Sequence, residues 1–390
     1  MSSISLIELS SQSLFLSFLL LLLAIIPIAA AIQSNKKWIG RMGLALTFLA
    51  FILQLIYFTC RWAAIGHAPV GNMYEFMTFF GIMLVGSTLL IHHLYKQLVV
   101  PLFSIPVTLI IIGYGAVFTR EASPLVPALQ SHWLAIHVIT VALSSAVLSV
   151  AFASGFIYLL RETDVDRKTI QTRGLEFVMY CLVVVIGFIL SSLTFSMTTE
   201  ERVVRFEDRS GMEEKAIYHM PAIFITKDAV VHEGEEKLAG IPLPNVIDAK
   251  KLNSITWAFL TGTILYFLFR LLTRRKIIQA MKPLTKKVNL PLMDEISYRA
   301  VLIGFPLFSL GGLLFAMIWA HFAWGRFWGW DPKEVWALIT WLFYAGLLHL
   351  RTSREWLGTR TAWMAVIGFG LIVFNQVFVN LVISGLHSYA

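Results

Sequence analysis

The chain has 390 residues, 57% of them hydrophobic and 14% charged, a balance that excludes an ordinary water-soluble domain and marks a polytopic membrane protein. Its formal net charge of +8 does not indicate a nucleic-acid partner, because the Lys and Arg residues sit in short clusters between apolar runs, where they orient helices. The two cysteines, Cys60 and Cys181, stand alone inside apolar runs, so one chain forms neither a CxxC redox pair nor a Cys-rich metal site.

The first apolar run, Leu14 to Ile32, has no basic segment before it and no clear small-residue cleavage site after it. It reads as a retained span rather than a signal peptide. A bilayer-crossing helix needs about 17–25 apolar residues, and ten stretches qualify, near 13–32, 42–60, 73–91, 98–118, 133–160, 174–195, 254–272, 299–320, 334–350 and 361–384. The expected fold is therefore all-α, with about ten transmembrane helices. Nineteen of the 31 Lys and Arg residues fall in the loops 33–41, 92–97, 161–173, 270–299 and 351–360. Only four lie in the opposite segments 61–71, 118–132, 321–335 and 385–390. The positive-inside rule puts the first set in the cytoplasm and both termini on the external face.

The polar segment 196–253 carries 8 basic and 11 acidic residues. It reads as an external insertion between the sixth and seventh spans, with short β-branched runs such as Ala222 to Thr226. Those two spans enter and leave from the cytoplasmic side, so 161–290 is expected to be an accessory hairpin between an N-terminal region, 1–160, and a C-terminal core, 291–390. Ahead of the third span, Asn72 with Glu75 three residues on has capping-box spacing. On the fifth span, Ser144, Ala151 and Gly155 fall within about 40° of His137 on a helix of 3.6 residues per turn, a small-residue face suited to bundle packing.

The densest chemistry lies between Trp319 and Trp341, which hold six of the twelve tryptophans, interleaved with Gly325 and Gly329. Asp331 and Glu334 have capping-box spacing and Pro332 takes the first helical position, so a span begins here with its positive dipole end outward. Trp324, Trp328 and Trp330 offer flat apolar surface, and the glycines let a planar ligand approach. A macrocycle carrying carboxylates, such as haem, suits both features, its propionates directed at Arg326, Lys333 or the helix N-terminus. An aromatic belt at the membrane interface is the plainer reading of the same tryptophans.

The string WGRFWGWDPKEVWALITW resembles the tryptophan-rich WWD signature of haem-handling proteins of cytochrome c biogenesis. PVGNMYEF, LVPALQSHWLAIHV, DEISYRAVLIGFP and NLVISGLHSYA, in that order along the chain, are similar to one branch, the CcsA/ResC family of system II. The resemblance implies binding of haem b and a CcsB/ResB-type membrane partner. It further implies delivery of haem to the external face and its attachment to the CxxCH motif of apocytochrome c, with a thioredoxin-like thiol reductase among further partners and a role in a holocytochrome c synthase complex. It assigns His137 and His387 as external haem-iron ligands and His349 as an intramembrane ligand of a second haem, with Trp324, Trp328, Trp330 and Asp331 around the external one.

The residues alone weigh these histidines more evenly. His137 and His387 lie near the external ends of the fifth and last spans, and Gln376, Asn380 and His387 would share one helical stripe. His349 follows Glu334 by about 22 Å of helix and sits beside Arg351 near the inner boundary. His132 and His321 read as neighbours of the site. His67 belongs with turn chemistry, and His92, His93, His219 and His232 read as solvated. The chain shows no Ser-His-Asp set, phosphate-binding glycine loop or HExxH motif. A di-haem b-type electron-transfer subunit and an iron-free lipid binder are the alternative functions.

Overall fold

The computed structural model describes residues 3–34, 36–121, 130–199, 202–207, 213–218, 220–226, 230–231, 240–243 and 249–379. His387, Asn380, His219 and His232 lie outside them, as do positions 125–129. Eight described helical segments are long and apolar enough to cross a membrane, and Val99–Gly115 is a shorter apolar helix. A tenth, α11 (Pro332–Ser353), has a more polar sequence, but its 22 residues reach about 33 Å, the thickness of a hydrocarbon core. The protein is thus an all-α, multi-pass membrane protein.

The chain divides into two compact units, one made of Met1–Leu175 with Ile278–Ala390, the other of Glu176–Ile277. In the first, α1 (Ser3–Ser34) and α2 (Lys37–Ile65) form a tight hairpin. Gly43 lets it close, since a Cβ there would sit 2.6 Å from Ile28 Cγ1. The buried face of α2 runs Gly40, Gly43, Thr47, Ala50, Gln54, Tyr57, Arg61, alternating steps of three and four residues that keep one stripe turned inward.

That stripe ends on a buried ion pair. Arg61 Nε donates to Glu75 Oε1 at 2.8 Å, and the two side chains are 1% and 3% exposed. The other carboxylate oxygen accepts the Gly71 N–H at 2.9 Å, while Arg61 Nη2 donates to the Arg120 carbonyl at 3.0 Å. Asn72 caps α3 (Met73–Tyr95) by accepting the Glu75 N–H at 2.9 Å, as the spacing predicts. One carboxylate and one guanidinium thereby fasten the end of α2, the start of α3 and the segment after α4 (Val99–Gly115).

The spine of this unit is α5 (His132–Glu162), packed against α3, α4, α9 (Leu290–Phe308) and α12 (Thr359–Val373). Its small residues do the packing. Ser144 Oγ donates to the Gly304 carbonyl at 2.9 Å, Ser297 Oγ to the Ala151 carbonyl at 3.0 Å, and a Cβ on Gly155 would lie 3.0 Å from the Ala362 carbonyl oxygen. At its far end, Lys282 Nζ donates to the carbonyls of Leu160, Arg161 and Thr163 at 2.9, 2.9 and 2.6 Å. The ammonium thus closes the helix where carbonyls lack partners. Burial pulls its pKa below the usual lysine range, Arg161 adds to this, and Asp164 and Asp166 oppose it. A second ion pair joins α9, α11 and α12: Arg351 grips both oxygens of Asp294 at 2.8 and 2.7 Å, and Thr361 Oγ1 and the Gly358 N–H donate to the same carboxylate.

The second unit holds most of α6 (Ile170–Thr198), five strands and α7 (Ala249–Thr273), and the short α8 (Ile277–Met281) comes next along the chain. Strands β1 (Arg202–Glu207), β2 (Glu213–Tyr218) and β4 (Val230–Val231) form an antiparallel sheet in the order β2-β1-β4. Strand β3 (Phe224–Thr226), inside the run expected to be extended, pairs in parallel with β5 (Ile241–Leu243). Asn253 on α7 holds β3 by accepting the N–H groups of Ile223 and Phe224 and donating to the Phe224 carbonyl. Buried Glu176 accepts the Tyr266 hydroxyl at 2.7 Å and the Ile277 N–H at 3.2 Å.

Removing one partner of a buried ion pair leaves an uncompensated charge at a cost of about 3–5 kcal/mol. Arg61→Met and Glu75→Leu singly should each lower the melting temperature in detergent well below that of the double variant. Single variants that melt like the wild type would contradict this.

Candidate functional site

The site is built where the long segment Leu290–Trp324 changes its winding. Pro306 in α9 has no N–H to give its ladder, and two adjacent weak helix formers, Gly311 and Gly312, follow. There the helix widens into a π-turn over Ser309–Phe315 before resuming as α10 (Ala316–Trp324). Within it the Gly311 carbonyl meets His137 Nδ1 on α5 at 2.8 Å. A carbonyl only accepts, so Nδ1 carries the proton, and in the neutral form of such a ring the lone pair resides on Nε2. Trp319, 2% exposed, lies parallel to the imidazole, with ring centroids 5.7 Å apart and planes 8° apart.

His137 lines a cavity of about 140 Å³ with Phe76, Val141, Phe308, Phe327, Trp328, Lys333, Glu334, Asn375 and Gln376 among its neighbours. The last two stand on a second π-helical stretch, Phe374–Val379, which continues α12. Asn375 Oδ1 is buried there without a hydrogen-bond partner among the described residues. The wall is mostly aromatic and apolar, with one imidazole, one carboxylate, one ammonium and two amides. His387 comes 11 residues beyond Gln376 on the same chain segment.

The turn between α10 and α11 is fixed from within. Gly325 ends α10 with φ +69°, a left-handed conformation natural to glycine. Trp330 adopts φ +57°, rare for a bulky residue, and this bend lets Glu334 Oε2 accept both the Gly329 and Asp331 N–H groups at 2.8 and 3.1 Å. Asp331 Oδ1 in turn accepts the Lys333 N–H at 3.0 Å, completing the expected capping box. The start of α11 is therefore less open to an external anion than the sequence suggests, because its first donors are already engaged. Lys333 is the cation that lines the cavity, whereas Arg326 is exposed and folds over Gly329.

The three tryptophans do not make one flat platform. Trp328 lines the cavity, Trp324 packs on Trp319 beside Leu134, and Trp330 is 70% exposed, set edge-on to Trp328. His349 is exposed near the opposite end of α11, two residues before the anchored Arg351. His132 and His321 are exposed, the latter stacked on Phe327. Sequence reasoning missed the Gly311 carbonyl and Asn375, for which no local pattern exists. It also missed Arg61 and Asp294 as anchors, although a charge inside an apolar run was the available signal.

Residues 70–199 and 251–387 match the family described as Cytochrome C assembly protein. The chain belongs to that family. A cytochrome c biogenesis protein CcsA from Crocosphaera subtropica is 29% identical over 382 residues, spanning 96% of this chain and 95% of its own. Proteins of the same name from Synechococcus elongatus and Porphyra purpurea are 29% and 28% identical over 364 and 355 residues, covering 91% and 90% of this chain and 89% and 88% of theirs. As a cytochrome c assembly protein, the chain has its role in cytochrome c biogenesis. The family match includes Glu75, His137, the cavity, His349 and His387, and leaves out residues 1–69, 200–250 and 388–390.

The turn makes a direct prediction. Glu334→Ala frees the Gly329 and Asp331 amides and removes part of a cap worth about 1 kcal/mol, so hydrogen exchange at both amides should quicken several-fold. Unchanged protection there would show that the carboxylate does not hold the turn.

Proposed function

We propose that this chain binds haem b and, with a CcsB/ResB-type membrane partner, delivers it to the external face, where it is presented to apocytochrome c for thioether attachment. The observation that carries this reading is the pairing, in one aromatic cavity, of the Trp328 indole with an imidazole whose Nδ1 is tied to a backbone carbonyl. Such a ring has the donor set of an axial ligand, and a buried amide oxygen without a partner marks a cavity suited to a polar-edged guest. Haem is the cargo, and its iron and vinyl groups supply the reactive chemistry.

In this account His137 and His387 hold the iron on the external side, with Trp328 against the ring and Trp324 buttressing Trp319 behind the imidazole. Trp330 and Asp331 shape the turn that carries Trp328. Lys333 and Gln376 provide polar contacts at the cavity wall. His349, exposed on α11, is available to a second haem whose other ligand comes from the partner, so that α11 links an inner and an outer position. Reduced CxxCH thiols belong to the apocytochrome, kept so by a thioredoxin-like reductase. The chain contributes binding and orientation to the holocytochrome c synthase assembly, and proximity supplies much of the acceleration.

The test is co-expression of the full chain, its partner and a CxxCH reporter. Wild type should show a Soret band and label the reporter covalently. The combined His137→Gly, His387→Gly variant should lose the external haem and at least tenfold of the labelling, and His349→Gly should lose a separate haem component. A full haem signal in the double variant would remove the ligand assignment. Bound haem with no labelled reporter in the wild type would favour the electron-transfer alternative.

A further inference from the structure

We infer that the π-helical stretch Ser309–Phe315 is the positioning device for the His137 imidazole: its winding turns the Gly311 carbonyl toward α5, where it sets which ring nitrogen faces the cavity and in what orientation. The inference rests on the haem reading above and deepens it, because it names the group that prepares the ligand.

In regular α-helix a carbonyl points along the axis to the N–H four residues on. In a π-turn the reach is five residues, the ladder loses its register, and such turns gather at functional sites. Here the turn spans seven residues and holds Gly311, whose carbonyl accepts from His137 Nδ1 at 2.8 Å. Closeness is enforced by the missing side chain. A Cβ on Gly311 would lie 2.8 Å from Val141 N and 2.9 Å from Thr140 Cβ, so no other residue lets the two helices approach this far.

The imidazole is also held on its face. Trp319 follows the turn on α10, is almost fully buried, and stacks within 8° of parallel. An edge held by a carbonyl and a face held by an indole leave the ring one plane and one tautomer. Donation from Nδ1 also makes Nε2 a stronger donor to a metal. Ser309 stabilises the turn from its other side, accepting the Trp341 indole N–H at 2.8 Å while donating to the Phe305 carbonyl. The Trp-rich segment and the turn are thus joined by a hydrogen bond as well as by packing.

The experiment uses the full chain with its partner and replaces the side chain by a small molecule. In His137→Gly loaded with haem, imidazole can bind the iron and donate its remaining N–H to the Gly311 carbonyl. 1-Methylimidazole binds the iron through the same nitrogen but has no N–H to give. Imidazole should half-saturate the Soret shift at about five- to tenfold lower concentration, the worth of one hydrogen bond, after correction for the ratio measured with haem in detergent alone. Deleting Leu313, which lets the turn wind as α-helix, should erase that preference.

With His137 in place, the same deletion should raise the reduction potential of the bound haem, because a ring that no longer donates through Nδ1 stabilises ferric iron less. Equal affinities for the two small molecules, or a potential unmoved by the deletion, would overturn the inference while leaving haem binding intact. A wild type that takes up no haem at all would overturn the functional reading and this inference together.

Discussion

Inside a hydrocarbon layer, a polar group that is not satisfied by the protein is not satisfied at all, and the architecture is largely an answer to that constraint. Two buried ion pairs are each bonded on several sides: Arg61 with Glu75 near one end of the bundle, Arg351 with Asp294 near the other. Two hydroxyls donate across between α5 and α9, Ser144 to the Gly304 carbonyl and Ser297 to the Ala151 carbonyl. His137 obeys the same rule, with a carbonyl released by a change of helical winding as its partner.

The same constraint relates the two ends of the first unit. Asp294 gathers Arg351, Thr361 and the Gly358 N–H, and so fixes the far ends of α9, α11 and α12 relative to one another. Near the cavity these same elements are less regular. Two π-helical stretches and a left-handed tryptophan occur within the short region where His137, Trp328 and Asn375 meet. Local strain and irregular winding are affordable where anchored helices over-determine the backbone, and they concentrate at sites of function. The arrangement is a scaffold fastened by a buried ion pair near each end, with the irregular cavity built beside the Arg61–Glu75 pair.

What could be read from the sequence follows the range of the interaction. Ten spans were legible because each is a local run of apolar residues, and even the more polar α11 was marked by its cap. Asp331 with Glu334 and Asn72 with Glu75 were legible for the same reason, each cap closing within three residues. The small face of α5 showed in its spacing, and Ser144, Ala151 and Gly155 do contact α9 and α12. Arg61 and Glu75 are separated by 14 residues and His137 and Gly311 by 174, so no periodicity connects them. The π-turns were illegible because a pattern read at 3.6 residues per turn has no place for an inserted residue. The tryptophans were read as one surface because indoles close in sequence look alike, whereas two half-buried ones and an exposed one serve different purposes here.

The central claim is that haem sits in the cavity between His137 and Trp328. Its most direct test is an electron cryomicroscopy map of the haem-loaded chain with its partner. Macrocycle density is expected against Trp328, with the iron at bonding distance from His137 Nε2 and the Gly311 carbonyl still on Nδ1. A haem resolved elsewhere, with the His137 ring turned away from Gly311 and only side chains filling the cavity, would contradict it.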